Sequence, residues 1–187
     1  MTTPWSAWQR RRVRSKLAAL ELLVLDVDGV LTDGGLWFSA EGQLQKRFDV
    51  RDGLGIRLLQ QEGLSLAFLS GGQGGATEIR ARQLGIKHCL VGIKDKPMAL
   101  AELQRDLGID IHRTGFIGDD LNDLAVREQI GLLLTPADAC AAVRRQADWV
   151  LSSNGGHGAV REAAEAILKS RGVWTSLRRD GWRERND

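Results

Sequence analysis

An α/β fold, a doubly wound and mainly parallel sheet between two layers of helices, is predicted by three features of this 187-residue chain. Short apolar runs alternate with helix-length amphipathic stretches over about 150 residues, the pattern of a parallel sheet with helices on both faces. The runs are apolar on both faces, as buried parallel strands must be. Several of them end abruptly in acidic or glycine-rich turns, and in such sheets ligands bind outside the carboxyl ends of the strands.

The first strand is Leu22 to Leu25, closed by Asp26-Val27-Asp28-Gly29. Residues two apart on a strand share a side, so Asp26 and Asp28 begin near one another, and Gly29 lets the chain turn. Gly34-Gly35, Leu36 to Ala40, Glu41-Gly42 and Gln43 to Val50 read as a β-hairpin standing over that turn like a flap. Asp52 is read as the cap of a helix over about 53–62, with Leu54, Leu58 and Leu59 inward. Leu64 to Leu69 is the second strand, ending in Ser70-Gly71-Gly72, and Ala76 to Leu84 a helix stopped by Gly85. His88 to Val91 is a short strand; Lys96-Pro97 opens a helix that presents Leu100, Leu103 and Leu107 on one face and stops at Gly108. Thr114 to Ile117 is the next strand, followed by Gly118-Asp119-Asp120 and a helix starting near Asp120. Ile130 to Leu134, a helix over 137–146, Trp149 to Leu151 and a helix over 159–168 complete the body. The domain is read as 21–170, with the flap at about 35–50 and basic extensions at 1–20 and 171–187.

Residues 1–20 carry five basic and no acidic side chains, and residues 169–187 carry six basic and three acidic, which leaves 15 basic against 21 acidic between them. An acidic body suits a cation site and argues against nucleic acid as partner. The basic ends, which include Trp5 and Trp8, read as solvated tails. No apolar run approaches the roughly 20 residues of a membrane span, and no secretion signal is recognisable. Cys89 and Cys140 have neither metal spacing nor a disulfide pattern, so a cytoplasmic setting is expected.

Four polar stretches are expected to meet at one sheet edge: Asp26-Val27-Asp28, Ser70-Gly71-Gly72, Lys96, and Asp119-Asp120 with Asp123. Carboxylate oxygens suit Mg²⁺. A hydroxyl with glycine amides suits phosphate oxygens, and a lysine neutralises charge on both. Each stretch alone has a plainer reading: a turn, a solvated lysine, acidic residues complementing a helix dipole. Their order and context are the signal.

That order resembles the haloacid dehalogenase superfamily of phosphohydrolases, and more closely the 3-deoxy-D-manno-octulosonate 8-phosphate phosphatases. The resemblance runs from residue 22 to about 170. It takes in Asp26 to Gly34, the short hairpin in place of a large cap domain, Asp52-Gly53, Leu84-Gly85-Ile86, Gly118-Asp119-Asp120, and Gly155-Gly156 with Gly158 to Glu162. It implies a Mg²⁺-dependent phosphomonoesterase acting on a phosphorylated sugar acid whose product feeds lipopolysaccharide synthesis. Asp26 would be the nucleophile, forming an aspartyl-phosphate, and Asp28 the acid/base. Asp26, Asp119 and the Asp28 backbone carbonyl would hold the metal, with Asp120 and Asp123 orienting them; Ser70, Gly71 and Lys96 would hold the phosphoryl group. The resemblance also implies a homotetramer in which hairpins gather and a neighbour's C-terminal segment closes the crevice. Gly155 to Arg161 either contributes to a neighbour's site or forms a loop and helix start within one subunit. Gly72 stands where many relatives carry arginine, so another sugar phosphate, such as a sialic acid 9-phosphate, stays open as substrate. A receiver-like signalling module and a non-catalytic accessory domain are the alternatives from other classes. The Asp-Val-Asp spacing, which places an acid/base beside the nucleophile, and the intact acidic set argue against both.

Overall fold

In a computed structural model that describes residues 7–182, the chain forms a parallel six-stranded sheet between two helical layers. The elements, in chain order, are α1 Ala7–Ala19, β1 Leu22–Leu25, β2 Trp37–Phe38, β3 Leu44–Gln45, α2 Val50–Gln61, β4 Ser65–Leu69, α3 Ala76–Gln83, β5 His88–Leu90, α4 Lys96–Leu107, β6 Thr114–Ile117, β7 Leu132–Thr135, α5 Ala141–Gln146, β8 Trp149–Val150, α6 Ala159–Ser170 and α7 Trp174–Asp180. Short 3₁₀ segments cover Ile111–Arg113 and Leu121–Gln129. The large sheet has the order β5-β4-β1-β6-β7-β8 with every pairing parallel, and β2 and β3 form the separate antiparallel hairpin.

Strand β1 lies at the centre, all four of its residues are buried, and they alternate between two cores. Leu23 and Leu25 face one core with Ile56, Leu59, Phe68, Val160 and Ile167, where α1, α2 and α6 pack. Leu22 and Val24 face the other with Leu69, Leu100, Phe116 and Val143, under α4 and α5. Burying each such side chain stabilises the fold by about 1.5–3 kcal/mol. Because β1, β4 and β6 run side by side in one direction, the turns after Leu25, Leu69 and Ile117 emerge at one edge.

Three local readings need correction. The residue that caps α2 is Asp49, whose side chain accepts from Arg51 N, and not Asp52. Asp52 is buried inside the first turn of α2 and instead accepts from Gly158 N (3.3 Å) and Arg161 N (2.8 Å), so it caps the start of α6 more than a hundred residues away. The segment after Asp120 is 3₁₀, because Asp123 reaches back to the amides of Asp119 and Asp120 and tightens the turn. α5 begins at Ala141 rather than at 137, since residues 137–140 bridge neighbouring loops: Ala137 N donates to Ser153 O, and Cys140 N to Asp119 O.

The basic ends differ most from expectation. α1 buries Val13 and Leu17 against α6, and Lys16 pairs with Asp148 at 2.8 Å. α7 also packs on α6, with the Trp174 ring beneath the cations of Arg161 and Lys169. Their exposed faces are basic while their inner faces are apolar, which a charge count does not reveal. Trp5 and the side chain of Trp8 lie outside the described residues.

Candidate active site

The turn after β1 is built by its own backbone. Leu31 N and Thr32 N both donate to Val27 O, and Gly29 adopts φ 90°, where a side chain is strained. Space sets the same requirement: a Cβ on Gly29 would lie 2.1 Å from Asp119 Oδ2. The β1 turn and the β6 turn therefore press together, and only glycine allows it. Behind them, Gly155 packs so closely on the turn that a Cβ there would meet Gly29 O at 1.8 Å. Gly156 N donates to Val30 O, and Gly155 N to Asp138 Oδ1.

The sequence-predicted residues converge. Asp26 is buried, and its Oδ1 lies 3.0 Å from Lys96 Nζ, across seventy residues of sequence. Lys96 Nζ also lies 2.6 Å from Asp123 Oδ1. Asp95, ahead of α4, caps the helix by accepting from Met98 N, which sets Lys96 as its first residue, pointing inward and buried. Asp123 is fully buried, and its Oδ2 accepts from Asp119 N (2.8 Å) and Asp120 N (3.3 Å). Among the described residues, Asp26, Asp119 and Asp123 each offer one oxygen within 4.8 Å of the others. Asp26, Asp28, Ser70, Gly71, Gly72, Asp119, Asp120 and Asn122 line a cleft of about 260 Å³ at this edge. Lys96 lies behind that lining, bonded to Asp26. Ser70 is buried, and its Oγ accepts from Gly72 N at 3.1 Å, which curls the glycine turn toward the cleft.

The electrostatics are those of a site short of positive charge. Burial, then the neighbouring Asp123 carboxylate, push Asp26 up to about 6, against the pull of Lys96. Burial, then Asp26 and Asp123, push Asp119 up to about 8. Burial works against the charge on Lys96, but Asp26 and Asp123 outweigh it and hold the ammonium above its ordinary value. One lysine does not neutralise three crowded carboxylates. An all-oxygen acidic donor set of this kind fits a hard divalent cation.

Two residues of the site were not picked out in the sequence. Asn122 lines the cleft between Asp120 and Asp123, and its position inside that acidic run was the available signal. Lys46, at the foot of the hairpin, pairs with Asp28 at 2.7 Å. No sequence pattern marks it, because the contact depends on how the flap folds back.

A central parallel strand ending in paired aspartates, with a serine, a lysine and a second acidic turn from neighbouring strand ends, defines a phosphohydrolase domain of the haloacid dehalogenase type. No family model matches the chain. It is 40% identical over 127 residues, 68% of each chain, to the 3-deoxy-D-manno-octulosonate 8-phosphate phosphatase KdsC of Yersinia pestis. Among solved structures it is similar to the phosphatase of that name from Moraxella catarrhalis in complex with a magnesium ion, a phosphate ion and a KDO molecule. The identity there is 35% and the TM-score 0.89, covering 92% of this chain and 99% of that one. The cobalt-bound phosphatase of Haemophilus influenzae is 39% identical with a TM-score of 0.83, covering 87% and 95%. The chain belongs to the 3-deoxy-D-manno-octulosonate 8-phosphate phosphatase family and is a phosphoric monoester hydrolase.

Proposed function

We propose that the protein hydrolyses 3-deoxy-D-manno-octulosonate 8-phosphate through an aspartyl-phosphate on Asp26, with Mg²⁺ as cofactor. The observation that carries this reading is the meeting of Asp26, Asp119, Asp123 and Lys96 from three separate loops at one sheet edge. The relatives' names, and the magnesium, phosphate and KDO of the Moraxella complex, support the cofactor and the substrate class.

Asp26 and Asp119, with the Asp28 backbone carbonyl, would hold the metal, which supplies positive charge that lets neighbouring carboxylates stay ionised beside a phosphate dianion. Asp123 sits between Lys96 and the amides of the β6 turn, and with Asp120 it orients this set. Ser70 and the amide of Gly71 receive the phosphoryl oxygens, and Lys96 keeps Asp26 aimed while offering charge to the transferring group. An Asp26 oxygen attacks phosphorus, the bond to the leaving oxygen breaks, and Asp28 gives that oxygen its proton. Asp28 then takes a proton from water as the water oxygen attacks phosphorus, releasing phosphate and restoring Asp26.

The hairpin leaves Leu36, Trp37 and Phe38 exposed. Such a patch supports assembly of copies through their flaps, and a homotetramer is the state we assign. No helix among the described residues is long and apolar enough to cross a membrane. Two free cysteines support a cytoplasmic setting.

Phosphate release over a panel of sugar phosphates, with Mg²⁺ and with chelator, tests the reading. The expected result is Mg²⁺-dependent turnover, fastest on 3-deoxy-D-manno-octulosonate 8-phosphate and abolished in Asp26→Asn. Faster turnover of a sialic acid 9-phosphate would move the substrate assignment, and no release from any ester would overturn the activity.

A further inference from the structure

Lys46 has no part in the mechanism above, yet it is built into the site. It follows β3 at the foot of the hairpin, and its side chain is only 1% exposed. Its ammonium lies 2.7 Å from Asp28 Oδ1 and 2.8 Å from Oδ2, with Thr77 Oγ1 at 3.5 Å. Asp28 keeps 30% of its side chain exposed, at the cleft. The ammonium donates to Oδ2 and stands beside Oδ1, which accepts no hydrogen bond among the described residues. A charge-assisted bond to one oxygen, with the cation close to the other, orients the carboxylate, and a buried ammonium stays put because its partner replaces lost hydration.

The grip is anchored on both sides. Arg47 Nη1 donates to Gly156 O at 2.9 Å, and Phe48 packs on the main core with the Arg80 guanidinium 5.8 Å from its ring centre. Opposite, a Cβ on Gly72 would lie 2.8 Å from Asp28 Oδ2 and 3.5 Å from Lys46 Nζ, so the absence of a side chain at 72 leaves room for the pair.

We propose that Lys46 is a positioning residue for Asp28: from the flap, it holds the carboxylate in the orientation from which its proton passes to the leaving oxygen. This rests on the phosphatase reading. As the bond from Asp26 to phosphorus forms, the bond to the leaving oxygen breaks, the electron pair stays with that oxygen, and the proton on Asp28 goes to it. A poor leaving group needs the proton; a good one departs without it. The effect of losing Lys46 therefore depends on the leaving group and not on binding.

The test is kcat/KM for phenyl phosphate and 4-nitrophenyl phosphate, two esters of nearly the same shape whose leaving groups differ in basicity. It is run with Mg²⁺ on the wild type, Lys46→Met, Lys46→Arg and Asp28→Asn. The Met variant loses about 10- to 100-fold more on phenyl than on nitrophenyl phosphate. Lys46→Arg, which keeps the cation, returns the ratio toward wild type, and Asp28→Asn shares the skewed ratio. The ratio is internal to each preparation, so partial misfolding of a variant cancels. Equal losses on the two esters in Lys46→Met, beside a skewed ratio in Asp28→Asn, would overturn the positioning role alone and make Lys46 a phosphate ligand or a purely structural residue. An unskewed Asp28→Asn would overturn the acid assignment and this proposal together, and a wild type that turns over neither ester would overturn the phosphatase reading.

Discussion

Replacing Lys96 by Met keeps the length of the stem and removes the ammonium, which strands Asp26 and Asp123. The ion pairs lost are at 3.0 and 2.6 Å, and the carboxylates left behind are 7% and 0% exposed. Breaking a buried pair by removing one partner costs about 3–5 kcal/mol. Two features moderate the loss: Asp123 keeps its bonds from the amides of Asp119 and Asp120, and Asp26 escapes its predicament by taking up a proton. The second fixes the pH dependence. Lys96 lowers the Asp26 pKa, so its removal carries Asp26 further above about 6, while the unfolded chain keeps the ordinary 3.8. In that window the folded variant binds a proton that the unfolded chain releases, so its stability falls as pH rises. Urea denaturation followed by tryptophan fluorescence, with chelator present, should show a deficit against wild type of about 3 kcal/mol or more near pH 8, shrinking toward pH 5. Mg²⁺ should recover part of the stability and none of the activity. A deficit under about 1 kcal/mol at pH 8, or one that grows as pH falls, would refute the account of Lys96 as the internal counter-charge of the rim.

Because Asp119 is held up to about 8 and Asp26 to about 6, a cation must displace protons to bind, and calorimetry should find Mg²⁺ affinity roughly 100-fold weaker at pH 6 than at pH 8, with proton release. Gly155→Ala puts a methyl group 1.8 Å from Gly29 O; it should lower stability by about 2 kcal/mol or more in denaturation and reduce kcat, through displacement of the turn that carries Asp26 and Asp28. Leu17→Ala, in a segment that reads as a tail, should destabilise the fold by about 2–4 kcal/mol because Leu17 is 3% exposed against the core; a shift within about 0.5 kcal/mol would show that α1 is not part of that core.

The parallel sheet and the convergence of the acidic turns were legible because strands buried on both faces leave an unbroken apolar run, and because catalytic groups follow such runs directly. Asp26, Ser70, Lys96 and Asp119 each sit within a few residues of a strand or helix end, so topology alone brings them together. What the chain did not disclose depends on long-range contact. Asp52 looks like a local cap because its neighbours begin a helix, yet its carboxylate serves α6. Lys46 lies in an unremarkable basic pair, and its burial arises only when the flap folds onto Asp28. α1 was obscured by composition: its arginines dominate the charge count, while Val13 and Leu17, spaced one helical turn apart, carry the packing.

The central claim is that Asp26 itself takes the phosphoryl group. Acid quenching during turnover of 3-deoxy-D-manno-octulosonate 8-phosphate with Mg²⁺, followed by peptide mapping in a mass spectrometer, reads this directly. The account predicts a phosphoryl group on Asp26 that appears only with Mg²⁺ and is absent from Asp26→Asn, which releases no phosphate. A phosphoryl group on another residue, or undiminished phosphate release by Asp26→Asn, would contradict it.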